Sequence, residues 1–271
     1  MTEKESVREF QIAGVQVQVF DDKDVLGHAA ASAVVSSLRR VIEQEGEATV
    51  IFATGASQYE FLAALIQMRD DIDWSRVEAF HLDEYLGISA NHTASFRRYL
   101  RQRLFQHLPF ESVHLLQGDA PDPEEECRRY AAMLGQRTVN VACIGIGENG
   151  HLAFNDPPAD FDTPKLVDIV ELDEACRQQQ VGEGHFPALE DVPRRALTLT
   201  IPAILRAQVI RCVVPDARKA QAVCCSLEGP ISPDCPGSAL RTHNNVRLYL
   251  DADSASLLHS THAGGSEKAR P

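Results

Sequence analysis

The sequence predicts an α/β protein: a mostly parallel β-sheet with helices on both faces, in a single domain. Three observations predict it. Apolar segments of strand length alternate with segments of helical periodicity from one end of the chain to the other, and alternating elements of this kind build a sheet clad by helices. Several of the strand segments are apolar throughout, as in strands buried on both faces of a parallel sheet. Finally, turns rich in glycine, hydroxyl or acid follow directly on strands, at the carboxyl edge where open α/β sheets bind ligands.

The elements follow in order. Residues 1–10 read as loose. Residues 15–20 (VQVQVF) alternate apolar and polar and form a first strand. Residues 21–45 place Val25, Leu26, Ala29, Ala33, Val34, Leu38 and Ile42 near helical spacing, with Asp21 or Asp22 as cap and Gly46 as stop. Residues 48–53 are a buried strand, Thr54-Gly55-Ala56-Ser57 a turn, and 58–66 a helix. Residues 77–82 are a strand ending at Asp83-Glu84-Tyr85. Amphipathic helices cover 94–108 and 123–134, and a strand at 139–144 precedes the glycine-rich run Gly145–Pro157. Beyond it, 166–172, 196–201, 209–214 and 246–250 read as strands and 218–227 as a helix. Residues 173–195 are polar, hold Gly182 and Gly184, and read as irregular or mobile, with a composition that suits a moving lid. No repeat and no dividing linker is present, so the domain spans 1–259, with 260–271 as a disordered tail.

Composition narrows the functional classes. The chain has 271 residues, 44% hydrophobic and 24% charged, with a formal net charge of −13. Such an acidic chain does not suit general nucleic-acid binding, so any phosphate is held by a local positive site. Seven cysteines, without a CxxC pair, read as reduced thiols rather than a disulfide framework or a zinc site. The N-terminus has no apolar signal-peptide region and no apolar run approaches a membrane span. A cytoplasmic protein is expected, with no membrane partner.

Three constellations carry chemistry. Thr54-Gly55-Ala56-Ser57 sits between strand and helix, where backbone N–H groups, a helix N-terminus and two hydroxyls converge; that suits an oxyanion such as phosphate. It is neither a Walker motif nor a dinucleotide fingerprint, and an N-capped helix accounts for Thr54 and Ser57 equally well. His81-Leu82-Asp83-Glu84-Tyr85 places two adjacent carboxylates at a strand end, where one can face a ligand while the other pairs elsewhere; a solvated acidic turn is the plainer alternative. In Gly145-Ile146-Gly147-Glu148-Asn149-Gly150-His151-Leu152-Ala153-Phe154-Asn155-Asp156-Pro157, an imidazole lies near Asn149 and Asp156, which can set its tautomer and charge. That is a workable acid/base unit; a histidine satisfying loop hydrogen bonds is the alternative. Lys219, after the strand at 209–214, can supply a cation for a phosphate or be a surface lysine in a helix's first turn.

These motifs occur in the order found in the glucosamine-6-phosphate deaminase/isomerase family, and the chain resembles that family over roughly residues 15–252, most specifically at Gly145–Pro157. The related 6-phosphogluconolactonases share the Gly-His pair but usually lack the Asp-Glu-Tyr turn, so the resemblance favours the deaminase branch. It implies a Rossmann-like fold and conversion of glucosamine 6-phosphate to fructose 6-phosphate and ammonia, with no metal or organic cofactor. It implies Asp83 as the base moving a proton between C1 and C2, and His151 as the ring-opening acid/base, with Asn149 and Asp156 beside it. Thr54, Gly55, Ala56, Ser57 and Lys219 would form the phosphate cradle, with Glu84 and Gly147 also binding substrate.

The sequence departs from the family at Asn149, where some members carry an acid, and at Asp156, where the family has glutamate. Where members place a phosphate-binding arginine before an aromatic, this chain has Gly182–His185 ahead of Phe186. Lys219 and the 54–57 amides would then hold the phosphate alone or with His185 or Arg177. Two alternatives stand beside the deaminase: a sugar-phosphate lactonase and a non-enzymatic sugar-phosphate sensor. A homo-oligomer is compatible with the sequence.

Overall fold

The structure, a computed structural model, describes residues 7–182, 184 and 186–259. The expected loose and disordered ends, 1–6 and 260–271, lie outside them, as does His185. Eight strands form the main sheet: β1 (Arg8–Ile12), β2 (Val15–Phe20), β3 (Ala48–Phe52), β4 (Val77–His81), β6 (Ser112–His114), β7 (Val141–Ile144), β10 (Val209–Val214) and β11 (Val246–Asp251). Their order is β1-β2-β11-β10-β7-β3-β4-β6, with every neighbouring pair parallel except the β1–β2 hairpin. Strands β5 (Asp83–Tyr85), β8 (Val167–Glu171) and β9 (Arg195–Leu199) form a second, antiparallel sheet in the order β5-β9-β8.

Helices cover both faces of the main sheet, as expected. On one side, α1 (Lys23–Glu45) and α2 (Tyr59–Gln67) bury Leu26, Val34, Leu38, Phe61 and Leu65 against Val50, Phe52, Val141 and Val213. On the other, α4 (Pro123–Gly135), α6 (Ile201–Leu205) and α7 (Ala220–Glu228) bury Tyr130, Leu134, Ile204, Val223 and Leu227 against Ile51, Ala142, Cys212 and Leu248. The central strands touch both cores, which explains their unbroken apolar sequences. Helix α1 has the ends its sequence signals. Asp22 accepts from the amides of Asp24 and Val25 at 2.8 and 3.0 Å, and Gly46 closes the helix in the left-handed region.

Several details differ from the sequence reading, among them β6 and the second sheet, neither of which it anticipated. Residues 8–12 are not loose but form β1, because Ala13 and Gly14 both take positive φ (47° and 91°) and fold the chain into a hairpin. Segment 173–195 is largely ordered: α5 (Glu174–Gly182) is followed by a 3-10 turn at Leu189–Asp191 and then by β9. Its polarity concealed a helix held from outside, since Arg177 donates to the carbonyls of Leu189 and Val192. The short helix α6, capped by Thr200, follows β9 where only a strand was read. The helix read at 94–108 is α3 (Phe96–Leu100), capped by Ser95, running into a π-helical turn at Arg101–Phe105.

Strand order also locates the site. From β3 the chain moves outward to β4 and β6, then returns to place β7 on the other side of β3 and moves outward again through β10 and β11. The reversal lies between β3 and β7, the switch point where such sheets open a crevice at their carboxyl edge.

Candidate active site

Four adjacent strands, β10-β7-β3-β4, deliver their C-terminal turns to one cavity. Its lining includes Thr54, Gly55, Ala56 and Ser57 after β3, Asp83 after β4, Gly145, Gly147 and His151 after β7, and Lys219 after β10. The structure thus brings together residues scattered over more than half the chain.

The turn after β3 is shaped by Gly55, whose φ of 99° favours glycine. Its carbonyl accepts from the Tyr99 hydroxyl at 2.7 Å, and the turn leads through Ala56–Gln58 into α2. Opposite in sequence, Lys219 ends a 3-10 turn that begins after Asp216. Asp216 holds a positive φ of 86° between two anchors: its carboxylate pairs with Lys23 and its amide donates to Asp251 Oδ2 at 2.9 Å. Lys219 is buried, so its ammonium belongs to the cavity rather than to a surface helix turn.

At the end of β4 the backbone leaves the main sheet and enters β5, and the two carboxylates part. Asp83 lines the cavity, is 6% exposed, and has no hydrogen-bond partner for Oδ1. Burial, reinforced by the neighbouring Glu84 charge, raises its pKa well above the usual carboxylate range. Glu84 turns the other way and does not line the cavity, contrary to the substrate-binding role expected of it. It accepts from the amides of Tyr85, Phe96 and Arg97, from Ser95 Oγ at 2.7 Å and from Arg97 Nε at 3.1 Å. Arg97 also binds Asp119 and the Ile88 carbonyl. Glu84 is therefore a structural pin that fixes the backbone on which Asp83 sits. Just before it, His81 is fully buried with no hydrogen bond at either ring nitrogen; burial, with the nearby Arg97 charge, pushes its pKa down to about 3.

In the loop after β7, the His151 ring packs so closely on Gly147 that a Cβ there would lie 2.2 Å from ring atoms. Only glycine permits that ring position. Behind the ring, Asp156 Oδ1 lies 3.2 Å from His151 Nδ1 and accepts from Asn149 Nδ2 at 3.0 Å. Asn149 Oδ1 accepts from the His151 amide at 3.1 Å. Asn149 and Asp156 do not line the cavity; they contact His151 from behind.

Several lining residues were not anticipated: Gln58, Phe96, Ala153, Phe154 and, from α5, the buried Gln180. Phe96 was hinted at only by the apolar pattern and Phe154 lay in the glycine-rich run without an assigned role; both join Tyr85 and Phe186 in an aromatic cluster beside the cavity. Arg177, expected as a possible phosphate partner, is instead bonded to the Leu189 and Val192 carbonyls and does not line the cavity. Away from the cavity, Cys224, Glu228 and His259 bring potential metal-ligand atoms within 4.8 Å of one another, a grouping invisible in sequence because His259 lies far from the α7 pair. The six described cysteine side chains are free thiols.

Residues 21–249 match the family described as glucosamine-6-phosphate isomerases/6-phosphogluconolactonase. The chain belongs to this family. Within the family, a glucosamine-6-phosphate deaminase of Bacillus cereus (strain G9842) is 36% identical over 220 residues, 81% of this chain and 82% of the relative. One of Bacillus thuringiensis (strain Al Hakam) is 36% identical over 84% of each chain. Among solved structures, a monomeric glucosamine-6-phosphate deaminase superposes with a TM-score of 0.82 at 31% identity, covering 89% of this chain and 99% of its own. A 6-phosphogluconolactonase from Shewanella baltica, at 20% identity and a TM-score of 0.70 over 87% of this chain and 96% of its own, shares the fold. Among the described residues, no helix is long and apolar enough to cross a membrane.

Proposed function

We infer that this protein is a glucosamine-6-phosphate deaminase, converting glucosamine 6-phosphate and water to fructose 6-phosphate and ammonia. The observation that carries the reading is Asp83: a desolvated carboxylate with a raised pKa in the same cavity as an Asp156-backed imidazole and a buried lysine. A buried carboxylate of this kind is a stronger base toward a carbon-bound proton than one in water.

In the proposed chemistry the Thr54–Ser57 turn and Lys219 bind the phosphate. His151 takes the proton from the C1 hydroxyl and returns one to the ring oxygen, opening the sugar to its aldehyde. Asp83 then removes the C2 proton, and reprotonation at C1 leaves an imine at C2. Water adds to that imine, the C–N bond breaks, and ammonia departs with the ketose formed. Carbon, nitrogen and phosphorus balance, and every step is proton transfer or hydrolysis, so no oxidant is consumed. Gln180 offers the cavity a neutral amide, whereas an arginine would bring a fixed charge, so the phosphate charge rests on Lys219 and backbone amides.

The test is to incubate the purified protein with glucosamine 6-phosphate and measure ammonia and fructose 6-phosphate together. Equal amounts of both are expected. Hydrolysis of 6-phosphogluconolactone with no ammonia from the amino sugar would replace this reading with the lactonase one.

A further inference from the structure

A second cleft, sharing no residue with the catalytic cavity, lies along α1 where it covers β2, β10 and β11. It is an open groove of about 600 Å³, and three arginines line it: Arg40 near the end of α1, Arg211 in β10 and Arg247 in β11. Arg211 and Arg247 are direct neighbours across the two parallel strands. His28, Ser32 and Ser36 add a titratable ring and two hydroxyls along the same helix, and among the described residues no carboxylate lines the cleft.

That charge pattern runs against the rest of the molecule. The chain carries 39 acidic and 26 basic residues, yet among the described residues none of these three arginines is in an ion pair, whereas Arg76, Arg97, Arg128, Arg129, Arg137 and Arg218 all are. Arg211 is 91% buried, being 9% exposed. Its guanidinium reaches only neutral oxygens, the Ile210 carbonyl at 3.1 Å and Asn245 Oδ1 at 3.4 Å, and its Nε is buried without a partner. Burial together with the nearby charges of Arg247 and Arg40 lowers its pKa. Gathering like charges around a buried guanidinium is unfavourable by itself; a bound anion offsets that cost by attracting all three.

We propose that this cleft binds a small phosphate-bearing polyanion through Arg40, Arg211 and Arg247. Guanidiniums approaching from one helix and two strands match the several oxygens of a phosphoryl group, and the serines can add hydroxyl donors. A monocarboxylate would leave part of this charge uncompensated. An extended nucleic acid is disfavoured by the net charge of −13.

The experiment is calorimetric titration with inorganic pyrophosphate at low ionic strength, on the wild type, on Lys219→Ala to weaken binding in the catalytic cavity, and on Arg40→Gln/Arg247→Gln. Saturable binding is expected to persist in Lys219→Ala and to weaken at least tenfold in the arginine variant. The arginine variant should keep its wild-type kinetics with sugar phosphate, which shows that it folds. Arg40 is exposed, so Arg40→Gln alone leaves the core untouched and should still weaken binding severalfold. Absence of saturable binding in Lys219→Ala, or unchanged affinity in the arginine variant, would overturn the proposal. Citrate binding as tightly as pyrophosphate would overturn its phosphate class.

Discussion

At the scale of single residues, the proposed chemistry depends on how Asp83, His151, Gly147 and Lys219 are held. Asp83 is costly for the fold because it is buried and unpartnered at Oδ1. Its folded pKa lies above the unfolded value, so its ionised form destabilises the protein at pH above the unfolded pKa, and stability is lost as pH rises toward the folded one. Asp83→Asn is therefore expected to raise the melting temperature at pH 8, with the gain shrinking toward pH 4; a lower melting temperature at pH 8 would contradict the burial argument. Gly147→Ala should leave the fold intact but displace the His151 ring, lowering kcat by at least tenfold; circular dichroism and kinetics on the same sample separate the two effects. Lys219→Ala should raise KM for the sugar phosphate tenfold or more, since it removes the buried cation of the cradle. The shared position of all four at the sheet's carboxyl edge was legible in the sequence, because each sits in a short motif directly after an apolar strand. Gln180 and Gln58 were not, because their arrival at the cavity depends on the docking of α5 and on the turn before α2.

At the scale of elements, the β4–β5 junction decides the geometry. The chain must leave one sheet and join another within two residues, and Glu84 and Arg97 fix that step with a buried ion pair. Arg97→Ala strands a fully buried carboxylate and is expected to destabilise the protein by about 3–5 kcal/mol, read by urea denaturation; a loss under 1 kcal/mol would mean the junction is held by other contacts. Reading Glu84 from sequence as a substrate ligand failed here, since nothing local to Asp83-Glu84 reveals that Ser95 and Arg97 will close over the second carboxylate. The strong periodicities of α1, α2 and α4 and the apolar runs of β3, β7 and β10 were legible, whereas β1 and α5 were not. The first depends on a two-residue turn with positive φ, and the second is a polar helix stabilised by tertiary anchors.

At the scale of the whole molecule, a parallel sheet gathers its chemistry at one edge, and the reversal between β3 and β7 opens that edge into a cavity. Alternation in the sequence conveyed the parallel sheet, but not strand order or the small β5-β9-β8 sheet, which need long-range pairing. The buried His81 links this architecture to acid stability. Its folded pKa is about 3 against an ordinary value of 6.5, so between those values the unfolded chain takes up a proton that the folded one refuses, and stability falls as pH falls. His81→Leu should reduce the loss of unfolding free energy between pH 7 and pH 4; an unchanged loss would remove His81 as a cause. Most directly, the central claim is tested by ammonia release from glucosamine 6-phosphate in wild type and Asp83→Asn at saturating substrate. Stoichiometric ammonia in the wild type and a rate roughly 10²–10⁴-fold lower in a folded Asp83→Asn is the predicted result; comparable rates in the two proteins would contradict the account.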